Sequence, residues 1–295
     1  IGSEEAFRQE FDCEFLETGD NFIDEEYYAK LESLIMEPTH VFDDGAYEIW
    51  EEPDVDCIYT IGVDVAEGVN KNYSVVQVFD ITNLTDIKQV AQYSSNTINP
   101  FEFTSKVHEI CHHWGAPPVL IERNNCGAQV VDLLYQTYRY PNIVSYSPRT
   151  GKTKFDRLGV YAHTNTKYKG VVNMRYWVHE LKCITFRSKH LVEELRNFQR
   201  NPNGTWCAKP GYDDDKVMSM IWALMILDNA LVQRYYDVVE TDDNGKPKNL
   251  VLSEFVHQNF KTFLNDYKTQ TISDTWEPPG VVFQDINIGE RQNDI

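Results

Sequence analysis

From Ile58 the chain settles into alternation. Tyr59, Ile61, Val63 and Val65 fall on one side, and Ile58, Thr60, Gly62 and Asp64 on the other, which is the period of a β-strand. Turn residues follow in EGVNKN, and YSVVQVFDI and IKQVAQYSS read as two further strands, so an antiparallel meander is expected. Asn99-Pro100 opens a helix whose apolar positions recur at Phe103, Val107, Ile110 and Trp114, and Gly115-Ala116-Pro117-Pro118 closes it. PVLIE is a short continuous apolar run, as expected of a strand covered on both faces. A loop at Asn124-Asn125-Cys126-Gly127 leads into a helix over about 128–138, and IVSYS reads as another strand. Past a polar, basic stretch at 149–170, the pattern predicts a helix near 168–182, a strand near 183–187 and a helix near 190–200. Val217, Met220, Ile221, Leu224, Leu227 and Leu231 then mark the most apolar helix of the chain. The expected fold class is α/β, a central mixed β-sheet flanked by helices. Residues 1–50 read as a lead-in of short helices and acidic turns, 51–234 as the main domain, and 235–295 as an acidic tail packed on or beside it.

Composition narrows this picture. Of 295 residues, 42% are hydrophobic and 13% aromatic, enough for a substantial core. Neither a long apolar span nor a signal-like start is evident, so a soluble intracellular protein, with no membrane partner, is expected. The Ile1-Gly2-Ser3 start is read as that of a fragment of a longer polypeptide. Six cysteines lie scattered without a CxxC pair, which argues against a disulfide framework or a cysteine-rich zinc site. The net charge of −19 argues against nucleic acid when taken alone. Between Arg149 and Lys209, however, thirteen Lys and Arg stand against four Asp and Glu. One basic face on an acidic body can bind a polyanion, although an ordinary solvated surface would look the same.

Three acidic positions carry the candidate chemistry. Asp64 lies in the first strong strand, opposite its alternating apolar residues, where an ionised carboxylate is costly unless paired or bound to a cation. Glu122 ends the apolar strand PVLIE, and ligands collect beyond the carboxyl ends of strands in open α/β sheets. Asp213-Asp214-Asp215 stands just before the most apolar helix. Each also fits a plainer role, a strand-end surface residue for the first two and a helix cap for the triplet. Together they can converge on one point, and converging hard oxygen ligands suit Mg²⁺ or Mn²⁺. Two such ions about 4 Å apart support phosphodiester hydrolysis without a protein nucleophile.

The ordered set GVDVAEG, VLIERNNCGAQVVDLLY and GYDDDKVMSMIWAL resembles the C-terminal nuclease domain of the large terminase subunit of tailed bacteriophages, especially the T-even-like group. The upstream EEAFRQEFDCEFLETGDNFI looks like the segment that joins the motor of that family to its nuclease, and the resemblance spans residues 4–232. It implies a ribonuclease H-like fold and a metal-dependent endonuclease that cuts concatemeric viral DNA during genome packaging. Asp64, Glu122 and Asp215 would be the catalytic metal ligands, Asp214 a close alternative to Asp215, and Glu67 an auxiliary ligand. The cofactor would be two Mg²⁺ or Mn²⁺ ions. Asn72 departs from the family, which often carries Asp there, and Asp213 stands where relatives often have His. Implied partners are double-stranded DNA, an N-terminal ATPase motor on the same full-length chain, and the portal and small terminase subunit. The implied location is the cytoplasm of the infected bacterial host, transiently at the procapsid portal.

Arg149, Lys152, Lys154 and Arg157, with Lys167 and Lys169, form the densest basic stretch and are assigned to the DNA backbone, against a plain surface loop. His108 and His112 stand one helical turn apart without a second ligand pair, so a helix surface is the expectation there. Trp177 and Trp206 are expected in the core, and no GxxxxGK[ST] stretch occurs. Two other readings stay open: another phosphoryl-transfer enzyme of the same fold, such as a resolvase or transposase, and an inert module that docks a portal or motor.

Overall fold

The computed structural model describes residues 21–68, 72–146, 158–201 and 204–228. The meander is present as expected. Strands β3 (Tyr59–Asp64), β4 (Ser74–Asp80) and β5 (Ile87–Ser95) pair antiparallel in that order. Helix α2 (Pro100–His113) follows, with Asn99 capping its first turn and proline at its start. It returns the chain to β6 (Val119–Ile121), which pairs parallel to β3, and helix α3 (Gly127–Gln136) comes next. After it come α4 (Thr164–Arg175), a π-helical turn at Tyr176–Glu180, β7 (Ile184–Thr185) and α5 (Lys189–Asn197). The last α-helix of the described residues, α6 (Asp215–Met225), is buried along its whole length.

Three elements differ from expectation. The stretch IVSYS, read as a strand, makes only isolated bridges, at Ile143 to Val119 and at Ser145 to Gly159. Residues 40–49, assigned to a lead-in of short helices and turns, instead form β1 (His40–Phe42) and β2 (Tyr47–Ile49), which extend the sheet from β5. Helix α1 (Glu25–Glu32), capped by Asp24, precedes them. All three residues of β1 are exposed, so no hydrophobic alternation advertises that strand. The predicted helix near 190–200 stops at Asn197, and the chain turns into a hairpin of β8 (Phe198–Arg200) and β9 (Trp206–Ala208).

The sheet order is β1-β2-β5-β4-β3-β6, with β7 added parallel to β5. Helices cover both faces, which divides the core in two. On one side Tyr59, Ile61 and Val63 pack with Phe103, Val107 and Ile110 of α2 and with Val130, Val131 and Leu134 of α3. On the other, α6 lies across β3 among Phe79, Leu120, Met174 and Leu195. Trp177 and Trp206 are buried on this second side, as the sequence led us to expect. No helix among the described residues is long and apolar enough to cross a membrane.

The α6 side of the sheet carries an unusual polar row. Gly62, Gln77, Gln92 and Glu48 stand in register on neighbouring strands. The amide of Gln77 donates to Gln92 at 2.8 Å, and that of Gln92 to Glu48 at 3.3 Å. Gln89 joins by donating to Gln77 at 2.9 Å, and its own amide oxygen accepts the backbone N–H groups of Arg187 and Ser188, both at 2.9 Å. These buried amides are therefore satisfied by one another and by the backbone that starts α5.

Candidate active site

Parallel pairing brings the first two carboxylates together. Val63 is registered opposite Ile121, so the next residues, Asp64 and Glu122, leave adjacent strands at the same carboxyl end. The N–H of Glu122 continues the ladder to the carbonyl of Val63 at 2.9 Å. A methyl group on Gly127 would stand 1.9 Å from the carbonyl oxygen of Glu122, so only glycine lets α3 begin this close behind it.

The third carboxylate arrives on α6. This helix crosses β3 at Gly62, where an added Cβ would meet the carbonyl oxygen of Ser219 at 1.9 Å and the backbone nitrogen of Ala223 at 2.4 Å. Asp64 is two residues further along the strand, about 7 Å. Asp215 is four residues before Ser219 along the helix, about 6 Å. The two rises match, so the contact at Gly62 sets both carboxylates at the same end of the sheet. The backbone N–H of Tyr73 fixes Asp215 by donating to its Oδ2 at 2.7 Å.

Charge is crowded here. Burial pushes the Asp64 carboxyl well above the ordinary range, and Glu122, Asp215 and Asp214 add to it. Burial also raises Glu122, against the partial relief of the Lys167 charge, a hydrogen bond shared with Asp64 and the indole N–H of Trp222, which donates to Oε2 at 3.2 Å. Asp215 is raised to about 7, mainly by burial, with Glu194, Asp214 and Asp213 contributing and the Tyr73 N–H opposing. Asp64 and Glu122 thus touch, while Asp215 and Asp214 stand near enough to be felt. Among the described residues no three His, Cys, Asp or Glu side chains form a ready-made coordination set. What the arrangement does have is negative charge held out of water with few donors, which favours either protons or a hard cation.

The acidic triplet divides its duties. Asp215 is buried and begins α6, Asp214 occupies the cap position, and Asp213 is exposed. Asp214 makes no side-chain capping bond, so the plain helix-cap reading does not describe it. Glu67 and Asn72 lie exposed on the two sides of the loop that follows β3. Arg149, Lys152, Lys154 and Arg157 lie outside the described residues. Lys167 and Lys169 lie on α4, and Lys167 acts on Glu122. Trp222 and the N–H of Tyr73 were not anticipated. The tryptophan sits in a helix so apolar that core packing masks its second role, and a backbone donor leaves no trace in sequence.

Residues 61–227, more than half of the chain, match the family described as Terminase RNaseH-like domain. The chain belongs to that family. Its terminase RNase H-like domain also resembles solved structures. The large terminase nuclease from thermophilic phage G20c with bound magnesium is 20% identical, with 70% of this chain and 97% of that chain covered at a TM-score of 0.50. The same nuclease with bound cobalt matches equally, at 20%, 70%, 97% and 0.50. The large terminase nuclease domain of Thermus phage P74-26 is 22% identical over 66% of this chain and 92% of that one, with a TM-score of 0.48. At such identities the G20c likeness establishes the fold, a ribonuclease H-like mixed sheet flanked by helices.

Proposed function

We propose that this chain is the metal-dependent endonuclease of a large terminase and cuts concatemeric viral DNA as genomes are packaged. The observation that carries the reading is the arrival of Asp64, Glu122 and Asp215, on three separate elements, at one end of the sheet, each with its pKa raised mainly by burial and Asp64 feeling the charge of the other two. Such a donor set suits Mg²⁺ or Mn²⁺. Phage G20c's nuclease, of the same fold, has been solved with magnesium and with cobalt. Asp64, Glu122 and Asp215 are the catalytic ligands in this reading, with Asp214 beside them and Glu67 as an auxiliary group.

Two bound ions would supply an activated water and charge stabilisation for the leaving oxygen of the phosphodiester. The chain's own residues prepare that site. Lys167 and the Trp222 indole favour the ionised form of Glu122, and the Tyr73 N–H does the same for Asp215 while fixing its Oδ2. Arg149, Lys152, Lys154, Arg157, Lys167 and Lys169 are assigned to backbone contacts, which position DNA without reading sequence. Double-stranded DNA is the substrate, and an ATPase motor on the full-length chain, the portal and the small subunit are its partners. The work is done in the host cytoplasm, transiently at the portal.

Plasmid cleavage in Mg²⁺ and in Mn²⁺ by the native chain, Asp64→Ala and Glu122→Ala tests this. Metal-dependent cutting with weak sequence preference, abolished by either substitution, is expected. Cutting that survives both substitutions would remove the site, and a native chain inert in both metals would favour a docking role. Neutralising Lys152 and Lys154 together should weaken DNA binding and flatten its salt dependence; an unchanged slope takes that stretch off the DNA path.

A further inference from the structure

Helix α6 begins without help from its own cap residue, yet its first N–H groups are satisfied. Glu194, on α5, reaches over to do this. Its Oε2 accepts the backbone N–H of Lys216 at 2.7 Å and of Val217 at 3.2 Å, the second and third residues of α6. Its Oε1 accepts the Lys216 ammonium at 2.8 Å. Both side chains of this ion pair are more than nine-tenths buried. The Lys216 ammonium lies 4.5 Å from the centre of the Tyr73 ring, and the Tyr73 N–H is the donor that holds Asp215. A closed circuit results, running from Glu194 through Lys216 and Tyr73 to Asp215, and back along the backbone to Glu194.

We propose that Glu194 is a positioning residue for the acidic centre, capping α6 from outside so that Asp214 is released toward the centre, and fixing Asp215 through Lys216 and Tyr73. The proposal rests on the metal-site reading above. A buried ion pair is poor value for stability alone, since an apolar pair of similar volume often serves as well, but it can specify one geometry. The anchoring of α5 supports such a purpose. Ser188 caps α5 by accepting the Leu191 N–H at 3.3 Å, and Gln89 holds the two backbone N–H groups just before the helix. Gln89 belongs to the glutamine row of the sheet that also carries Asp64. Glu194 therefore ties the start of α6 to the sheet from which Asp64 projects.

The test is Mn²⁺ binding by titration calorimetry, alongside metal-free thermal melting. The proteins are the native chain, Glu194→Ala, the isosteric Glu194→Gln, and the double variant Asp64→Asn/Asp215→Asn as control. Losing a group that orients a metal ligand weakens affinity about 10–100-fold, and that is expected for Glu194→Ala. Glu194→Gln keeps an oxygen for the α6 N–H groups but loses the charge facing Lys216, so it should bind between native and Ala. It also decides the matter if the Ala variant does not fold. A lowered melting point with native Mn²⁺ affinity in the folded variants would make Glu194 merely structural and overturn the proposal. Native affinity in the Asp64→Asn/Asp215→Asn control would instead overturn the metal-site reading itself.

Discussion

Adding one carbon at Gly62 should disable the site without touching a carboxylate. A Cβ there would stand 1.9 Å from the Ser219 carbonyl oxygen, where ordinary contact begins at 3.4 Å, so clearance along that line needs about 1.5 Å. Both obstructing groups are backbone, so no rotamer change relieves the clash and α6 must lift from β3. Overpacking of this kind costs about 1–3 kcal/mol, and each kcal/mol lowers the melting temperature of a domain this size by about 2–4 °C. Function should suffer more, because Asp64 rides on β3 and Asp215 on α6, and a 1 Å misplacement can cost about 100-fold in rate. Purified Gly62→Ala and native chain should be compared by initial rates of supercoiled plasmid nicking in Mn²⁺ and by thermal melting. A loss of about 100-fold in rate with a melting point lowered by about 2–12 °C is expected. Native cutting at a native melting point would show that α6 is not seated on Gly62.

Asp215 carries a pH signature. Its carboxyl titrates at about 7 in the fold against 3.8 ordinarily, so the native state keeps a proton that the unfolded chain has already lost. That stabilisation is complete below about pH 4 and disappears as pH rises through about 7. The metal-free native chain should therefore lose melting temperature relative to Asp215→Asn between pH 4 and pH 8, and parallel curves would contradict the shift. Lys167→Met should move the acid limb of the cleavage profile to higher pH, because Lys167 holds the Glu122 carboxyl down; a stationary limb would separate the two residues. Trp222→Phe removes the indole donor to Glu122. A hydrogen bond to a charged group contributes about 1.5–3 kcal/mol, so the Mn²⁺ concentration for half-maximal cutting should rise about tenfold or more, and a native value would make the contact incidental.

Much of the fold was legible because its signals are local. The alternation over Tyr59–Asp64 and the apolar run before Glu122 each identify their strand and the end at which the acid stands. The short strands β1 and β2 escaped, since β1 is wholly exposed and three residues are too few to show a period. The same distinction divides the site. Asp64, Glu122 and Asp215 sit at the ends of recognisable elements, whereas their supporting partners come from far along the chain. Tyr73 meets Asp215 across 142 positions and Trp222 meets Glu122 across 100. Glu194 looks in sequence like one of two acids on an amphipathic helix, and only the approach of α6 makes it a cap. Asp214 shows the converse, a residue in the expected cap position whose side chain does not cap.

In the metal-site reading proposed above, the third carboxylate comes on α6, and chain order then sets when the centre can be complete. The 100 positions from Glu122 to Trp222 take a ribosome about 5–20 s at roughly 5–20 residues per second. Until then the nascent sheet can display Asp64 and Glu122 side by side, but Asp215, its Tyr73 contact and the Trp222 indole are all missing. If these carboxylates are the metal ligands proposed above, cutting competence waits until α6 docks over Gly62, and a chain interrupted before Asp213 lacks the third of them.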